Sequence, residues 1–354
     1  MDIQRIDSNF QTKVVIDKTG YRFYDARELS LHGVFYDGEC YRRMPKEVAE
    51  GANDGVIALS KNTSGGRVRF ITNSKRIAIR AAMPAICRMA HMAYSGIHGF
   101  DMYTDTGDGP IYTATFLPRT DIIGGYESEK LLDSETERLI TINMPLYNQL
   151  TAFEVGIDEG AYMKPAPDYT YKKPIVFYGS SITQGGCASR PGMSYAAILS
   201  RRLDADIINL GFSGSGKGES CVAEYIASLD MSAFVLDYDH NAPTAEYLER
   251  THKPFFDIVR AAHPELPIIM TSRPKERLSE SEILRREIIR KTYLDAKAAG
   301  DRNVYFIAGE ELVAGLSGEG TVDNTHPTDL GFNSMASALY PILKLALLGG
   351  KNDN

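Results

Sequence analysis

A serine, a histidine and an aspartate are the residues around which chemistry can be built in this 354-residue chain. Ser181 lies in Pro174 to Gly186, PIVFYGSSITQGG, where an apolar run from Ile175 to Tyr178 passes into Gly179-Ser180-Ser181. Such a strand-to-turn junction can lift a hydroxyl above a sheet edge, where open α/β sheets hold their ligands. His326 follows Asp323 by three residues in Asp323-Asn324-Thr325-His326-Pro327. An acyl-transfer site needs a nucleophile, a base for its proton, a group that orients the base, and donors for the developing oxyanion. Ser181 is expected to attack. His326 is expected to take its proton and return one to the leaving alcohol, with Asp323 holding the other ring nitrogen. The backbone N–H groups of Ser181 and Gly211 and the side-chain amide of Asn241 are the expected oxyanion donors.

The elements that must position these groups follow from the pattern of apolar residues. Beyond Ile175, short runs that are apolar on both faces alternate with longer amphipathic stretches. Strands are expected at Ile175–Tyr178, Asp206–Leu210, Ala233–Asp237, Ile268–Thr271 and Val304–Ile307. Helices are expected at about 192–203, 219–228, 244–263, 280–299 and 328–348. This alternation implies βαβ units and a parallel sheet covered on both faces. Every candidate stretch then falls at a strand end or in the last loop, so all gather at one rim.

Residues 1–165 read differently. Alternating runs at Arg67–Thr72 and Arg76–Arg80, and further short strands expected at Phe100–Thr104, Ile111–Phe116, Leu139–Met144 and Leu150–Ile157, are separated by turn formers such as Thr106-Gly-Asp-Gly-Pro110. Short strands with polar turns and no crossover helix point to an antiparallel, jelly-roll-like β-sandwich. The first 50 residues carry no clear pattern. Lys164 to Pro174, punctuated by prolines, reads as a linker to an α/β domain over 174–350.

Composition narrows the partners. The formal net charge of −7, with no basic cluster to offset it, argues against nucleic acid. No apolar run approaches the roughly 18 residues of a membrane span, and MDIQRIDSNF lacks a signal pattern. Cys40, Cys87, Cys187 and Cys221 are spread out, so free thiols and a cytoplasmic location are expected. The oligomeric state, a homo-oligomer included, is left open.

Four stretches carry a resemblance to the blocks of the SGNH hydrolases, the GDSL-type esterase superfamily. Gly179-Ser180-Ser181-Ile182 resembles the Gly-Asp-Ser-(Leu/Ile) block, with Ser180 where that block has aspartate. Gly211 matches the glycine of the second block. Asn241 matches the asparagine of the third, with Asp239 and Ala242 departing from it. Asp323 and His326 match the Asp-x-x-His block. His98-Gly99-Phe100-Asp101-Met102-Tyr103 is similar to a Gly-x-Asp-Leu-Tyr stretch of N-terminal domains in such proteins. A sandwich ahead of this domain resembles carbohydrate esterase family two. The resemblance implies a flavodoxin-like three-layer α/β/α domain. It also implies removal of acetyl or other short acyl groups, carried by carbohydrate, without metal or organic cofactor.

Rival readings stand beside these. An acyltransferase or a lipase-like esterase would use the same three residues, and a non-catalytic carbohydrate-binding protein would use none. Gly211-Phe-Ser-Gly-Ser-Gly216-Lys217-Gly218 nearly matches a phosphate-binding loop, but Gly218 offers no hydroxyl for Mg²⁺. Asp237, Asp239 and His240 invite a metal reading that lacks a second ligand cluster. Cys187 is expected to pack rather than react. Phe100, Tyr103 and Tyr112 are expected in the sandwich core rather than as a sugar platform.

Overall fold

The computed structural model describes residues 19–349. Residues 1–18 of the expected sandwich span, and residue 350 of the expected α/β span, lie outside them.

The N-terminal half forms strands β1 (Tyr21–Asp25), β2 (Ser30–His32), β3 (Phe35–Tyr36) and β4 (Tyr41–Arg42), then helices α1 (Lys46–Ala52) and α2 (Asp54–Leu59). β5 (Arg67–Thr72), β6 (Arg76–Ala82), a short α3 (Tyr94–Ile97), β7 (Phe100–Asp105) and β8 (Ile111–Phe116) follow. β9 (Gly125–Leu131), β10 (Arg138–Asn143), β11 (Ala152–Asp158) and β12 (Met163–Pro165) complete it. Two larger antiparallel sheets result, one in the order β1-β11-β6-β9 and one in the order β12-β5-β10-β7-β8 with β2 also on β5, and β3 pairs with β4 in a small antiparallel sheet of its own. Alternation places Val68, Phe70, Ile77, Ile79, Ile140, Ile142, Phe153 and Val155 in the core between them. Phe100 is in that core as expected. Tyr112 is not: it is half exposed at the surface.

The second half alternates β13 (Tyr171–Gly179), α4 (Ser181–Gln184), α5 (Tyr195–Leu203), β14 (Ala205–Gly211), α6 (Ser220–Ala227) and β15 (Ala233–Asp237). Then come α7 (Ala245–Ala262), β16 (Ile268–Thr271), α8 (Glu280–Ala298), β17 (Val304–Ile307), α9 (Gly309–Leu312) and α10 (Asp329–Gly349). All five strands are parallel in the order β14-β13-β15-β16-β17. This is the flavodoxin-like doubly wound order. The long helices start where side chains can satisfy orphan N–H groups. Thr244 caps α7, and Ser279 with Glu282 forms a capping box on α8. α5 and α10 cover one face through Tyr195, Leu199, Phe332 and Leu339. α6, α7 and α8 cover the other through Val222, Phe255 and Ile289. Burying each such side chain contributes about 1.5–3 kcal/mol. Among the described residues no helix is long and apolar enough to cross a membrane.

Three features depart from the sequence expectations. Two unforeseen helices, α1 and α2, follow at the end of the patternless first 50 residues and just beyond it, and their Ala49 and Val56 pack with Met44 on the second face of the parallel sheet. The Lys164–Pro174 linker is largely ordered: β12 runs into its start and β13 begins at Tyr171. β9 also went unforeseen.

The two halves are joined by buried polar contacts. The carboxylate of Asp101, at the centre of the Gly-x-Asp-Leu-Tyr-like stretch, accepts from Arg190 Nη1 (2.6 Å), the Gly192 N–H (2.9 Å) and Asn143 Nδ2 (2.8 Å). The Arg43 guanidinium donates to the carbonyls of Asn209 (2.9 Å) and Gly211 (2.6 Å), fastening the end of β14. Asp101→Asn leaves Arg190 without its carboxylate in a largely buried setting. Such a loss is expected to cost about 3 kcal/mol. Urea unfolding of the two proteins checks this, and an unchanged midpoint would contradict it.

Candidate active site

β13 is bonded to β14 on one side and β15 on the other, so Gly179, Gly211 and Asp237 end side by side. The chain then turns directly into α4. Ser180, standing where the GDSL block has aspartate, caps this short helix by accepting from the Ile182 N–H (3.2 Å). Ser181 is the first helical residue. It is 8% exposed, and its N–H is one of those a helix start leaves without an intrahelical partner.

The loop before α10 brings the other groups to it. Ser181 Oγ is 2.9 Å from His326 Nε2, and His326 Nδ1 is 2.7 Å from Asp323 Oδ2. Asp323 Oδ1 also accepts from the backbone N–H groups of His326 (2.7 Å) and Thr325 (3.0 Å). Asn324 takes a left-handed φ of 62°, which folds the loop so that one carboxylate can receive three donors. Partial burial works against ionisation of Asp323, but these hydrogen bonds outweigh it and hold the carboxyl down at about 2. Its grip on His326 is therefore present above the usual carboxylate range and lost only as pH falls through about 2. A hydroxyl, an imidazole and a carboxylate in this sequence can run nucleophilic acyl transfer.

The expected oxyanion donors are corrected in two places. The Gly211 N–H is given to Asn209 Oδ1 (2.9 Å), so it is not available to a substrate. Gly211 instead allows close approach: a Cβ there would lie 2.2 Å from the Gln184 nitrogen of α4. Asn241 Nδ2 donates to the carbonyls of Phe212 (2.9 Å) and Gly216 (3.0 Å), so it braces the loop after β14. On that braced loop Gly214 has φ +64° and open space where a Cβ would stand. Its N–H donates no hydrogen bond among the described residues. Sequence reasoning passed over Gly214, although the glycine pair in Gly211-Phe-Ser-Gly214 marked the loop.

The N-terminal half supports the Ser181 turn from behind. Tyr147 Oη donates to the Ser181 carbonyl (3.2 Å), and Ser64 Oγ donates to that of Gln184 (2.6 Å). The His98–Tyr103 stretch is turned elsewhere: His98 bonds the Cys87 carbonyl and Asn148, and Tyr103 bonds Arg190. From the same half, His91 brings its ring to 5.5 Å from that of His326. Cys187 is buried nearby, and burial together with the Asp323 charge pushes its thiol up to about 11.

The rival site readings lose their ligands. Asp237 receives the hydroxyls of Thr183 (2.9 Å) and Tyr195 (3.0 Å), and Asp239 pairs with Arg285 Nε (2.7 Å). The would-be phosphate loop holds the Glu219 carboxylate against the Lys217 N–H (3.0 Å) and Tyr178 Oη (2.8 Å), a poor neighbour for phosphate.

Burial beneath the Ser181 turn pushes the Asp237 carboxyl up to about 7, against the hydrogen bonds that lower it. The folded protein thus holds this proton where the unfolded chain, with a value of about 3.9, has released it. The Asp237 contribution to stability falls as pH rises between about 4 and 7, by up to roughly 4 kcal/mol, against the opposite trend of His252, whose burial holds its imidazole down at about 3. Asp237→Asn is expected to flatten that fall. Unfolding midpoints at pH 5 and pH 8 test this, and parallel behaviour of variant and wild type would contradict it.

Proteins that present a serine where a parallel sheet ends, bonded to an imidazole and carboxylate, form the α/β serine hydrolases. Residues 172–344 match the GDSL-like Lipase/Acylhydrolase family, and residues 21–163 match the N-terminus of Esterase SGNH hydro-type. A Bacteroides ovatus structure assigned as a GDSL-like lipase is 31% identical, with a TM-score of 0.83, covering 93% of this chain and 98% of that one. This chain belongs to the GDSL-like lipase/acylhydrolase family, and it is a serine hydrolase of carboxylic esters. The fold is shared more distantly by the salicylyl-acyltransferase SsfX3 of a tetracycline biosynthetic pathway (21% identity, TM-score 0.74, 94% of this chain and 98% of that one). It is shared as well by a family two carbohydrate esterase of Clostridium thermocellum in complex with cellohexaose (18% identity, TM-score 0.60, 90% and 98%). No curated protein matches the chain.

Proposed function

We propose that the protein removes short acyl groups, acetyl first among them, from carbohydrate esters through an acyl-enzyme on Ser181. The 2.9 Å contact between Ser181 Oγ and His326 Nε2 is the observation that carries this reading. Ser181 Oγ bonds to the ester carbonyl carbon while His326 takes the hydroxyl proton. The tetrahedral intermediate collapses, the C–O bond to the alcohol breaks, and His326 gives the proton to the departing alkoxide. Water then attacks the acyl-enzyme with His326 as base, releasing the acid and restoring Ser181 Oγ–H. Asp323 keeps Nδ1 of His326 protonated and its ring in place. The N–H groups of Ser181 and Gly214 receive the oxyanion, in place of Gly211 and Asn241. The carbohydrate part of the reading is supported by the shared fold of a family two carbohydrate esterase and of an acetyl xylan esterase from Butyrivibrio proteoclasticus.

Esters of p-nitrophenol with acetate, butyrate and octanoate, followed by acetylated oligosaccharides, test the proposal. Acetate is expected to be the best acyl group, with free acetate released from the sugars. Rates that grow with chain length would replace this reading with a lipase-like one. A second reading, acyl transfer to an acceptor other than water, is favoured by the likeness to the salicylyl-acyltransferase. Burst release of p-nitrophenol with slow turnover, accelerated by added alcohols, would select it.

A further inference from the structure

His91, Cys187 and His326 bring one ligand atom each to within 4.8 Å of one another. They reach that point from different parts of the chain, and the backbone around each is fastened. His91 lies on the segment between β6 and α3, and its neighbour Met92 is buried in the same core cluster as Cys187. Ser95, four residues on, donates to the Ser189 carbonyl (2.6 Å), which pins this segment beside the Cys187 loop. The Cys187 N–H donates to the Pro327 carbonyl (3.0 Å), tying the thiol's backbone to the residue after His326. His326 Nδ1 is engaged by Asp323, which leaves Nε2 as its ligating nitrogen. A carboxylate behind an imidazole is the arrangement that orients and strengthens histidine as a metal ligand.

We propose that His91, Cys187 and His326 form a binding site for a borderline-soft divalent ion, Zn²⁺ above all, which reversibly switches the hydrolase off. Two imidazoles and a thiolate suit Zn²⁺ and exclude Mg²⁺ and Ca²⁺, which take oxygen ligands. Tetrahedral bonds of about 2.0–2.1 Å to nitrogen and 2.3 Å to sulfur require donor separations of about 3.3–3.6 Å. The donors must therefore draw together by about an ångström, and exposed His91 is the one free to do so. Binding releases the Cys187 thiol proton to solvent and forms bonds to Sγ and two imidazole nitrogens, with water as fourth ligand. It consumes the Nε2 lone pair that would accept the Ser181 proton. The ion is an inhibitor here and supplies no chemistry. The inhibitory consequence rests on His326 being the base; the site itself does not.

The test uses the full chain and Co²⁺ as a spectroscopic substitute for Zn²⁺. Wild type and Ser181→Ala are expected to give a thiolate-to-cobalt charge-transfer band with tetrahedral visible bands, displaced by Zn²⁺. Cys187→Ala is expected to lose the charge-transfer band. Inhibition of ester hydrolysis by Zn²⁺ is expected in wild type, relieved by a chelator and not produced by Mg²⁺. His91→Ala, on an exposed segment, is expected to keep its basal activity and to need roughly tenfold more Zn²⁺ or beyond for the same inhibition. A charge-transfer band that survives in Cys187→Ala, no such band in wild type, or Zn²⁺ sensitivity unchanged in His91→Ala would overturn the proposal. If no ester is turned over, the function assigned to Ser181 fails while the cobalt spectra still decide the site.

Discussion

Ser181→Ala is expected to abolish ester turnover, by about ten-thousandfold or more, while leaving the fold intact. The size follows from what the hydroxyl alone supplies. Without Oγ no acyl-enzyme can form, and only binding and the oxyanion donors remain to assist direct attack by water. The intact fold follows from its surroundings. Ser181 Oγ contacts His326 at the surface of the site, and the turn is held by other groups: the Ser180 cap, the Tyr147 hydroxyl on the Ser181 carbonyl, and the Ser64 hydroxyl on that of Gln184. kcat on p-nitrophenyl acetate and an unfolding curve measure both parts. Wild-type kcat in the variant would remove Ser181 from the mechanism.

His326→Ala is expected to be as severe, and the double variant Ser181→Ala/His326→Ala little worse than either single one. Nucleophile and base act as a unit, so removing the second partner after the first takes away almost nothing. The coupling expected between them would run through one 2.9 Å contact. Losses that multiply in the double variant would mean that the two residues act in separate steps. Asp323→Ala should be milder, because the imidazole keeps its basic nitrogen and loses only its orienting partner.

The parallel sheet was legible because its strands obey a simple physical rule. Ala233–Asp237 is buried throughout, and a strand covered on both faces has to be a continuous apolar run. The Asp323/His326 pair was legible for a different reason: three residues on a tight loop bring carboxylate and ring together with little help from elsewhere. Ser181 was readable from the strand that ends just before it.

What escaped depended on distant neighbours. Gly211 and Gly214 look equivalent along the chain. Only the Asn209 side chain, and the α4 backbone lying over Gly211, decide which N–H is left unbonded. Asn241 has the residue type of an oxyanion donor, but two loop carbonyls within 3.0 Å take its amide. β9 reads GYESEKL, charged and poor in β-formers, because it is an edge strand with one covered face. α1 and α2 are too short to show a period, and they bury their apolar residues on a sheet formed more than a hundred residues later. His91 carries no local mark at all, and its relation to His326 exists only once the two halves are docked.

The central claim is that Ser181 carries the acyl group. Mass spectrometry of the protein quenched in acid during turnover of p-nitrophenyl acetate tests it most directly. An acetyl adduct on the peptide that holds Ser181, absent from Ser181→Ala, is the result predicted. Steady turnover with an adduct on another residue would contradict it.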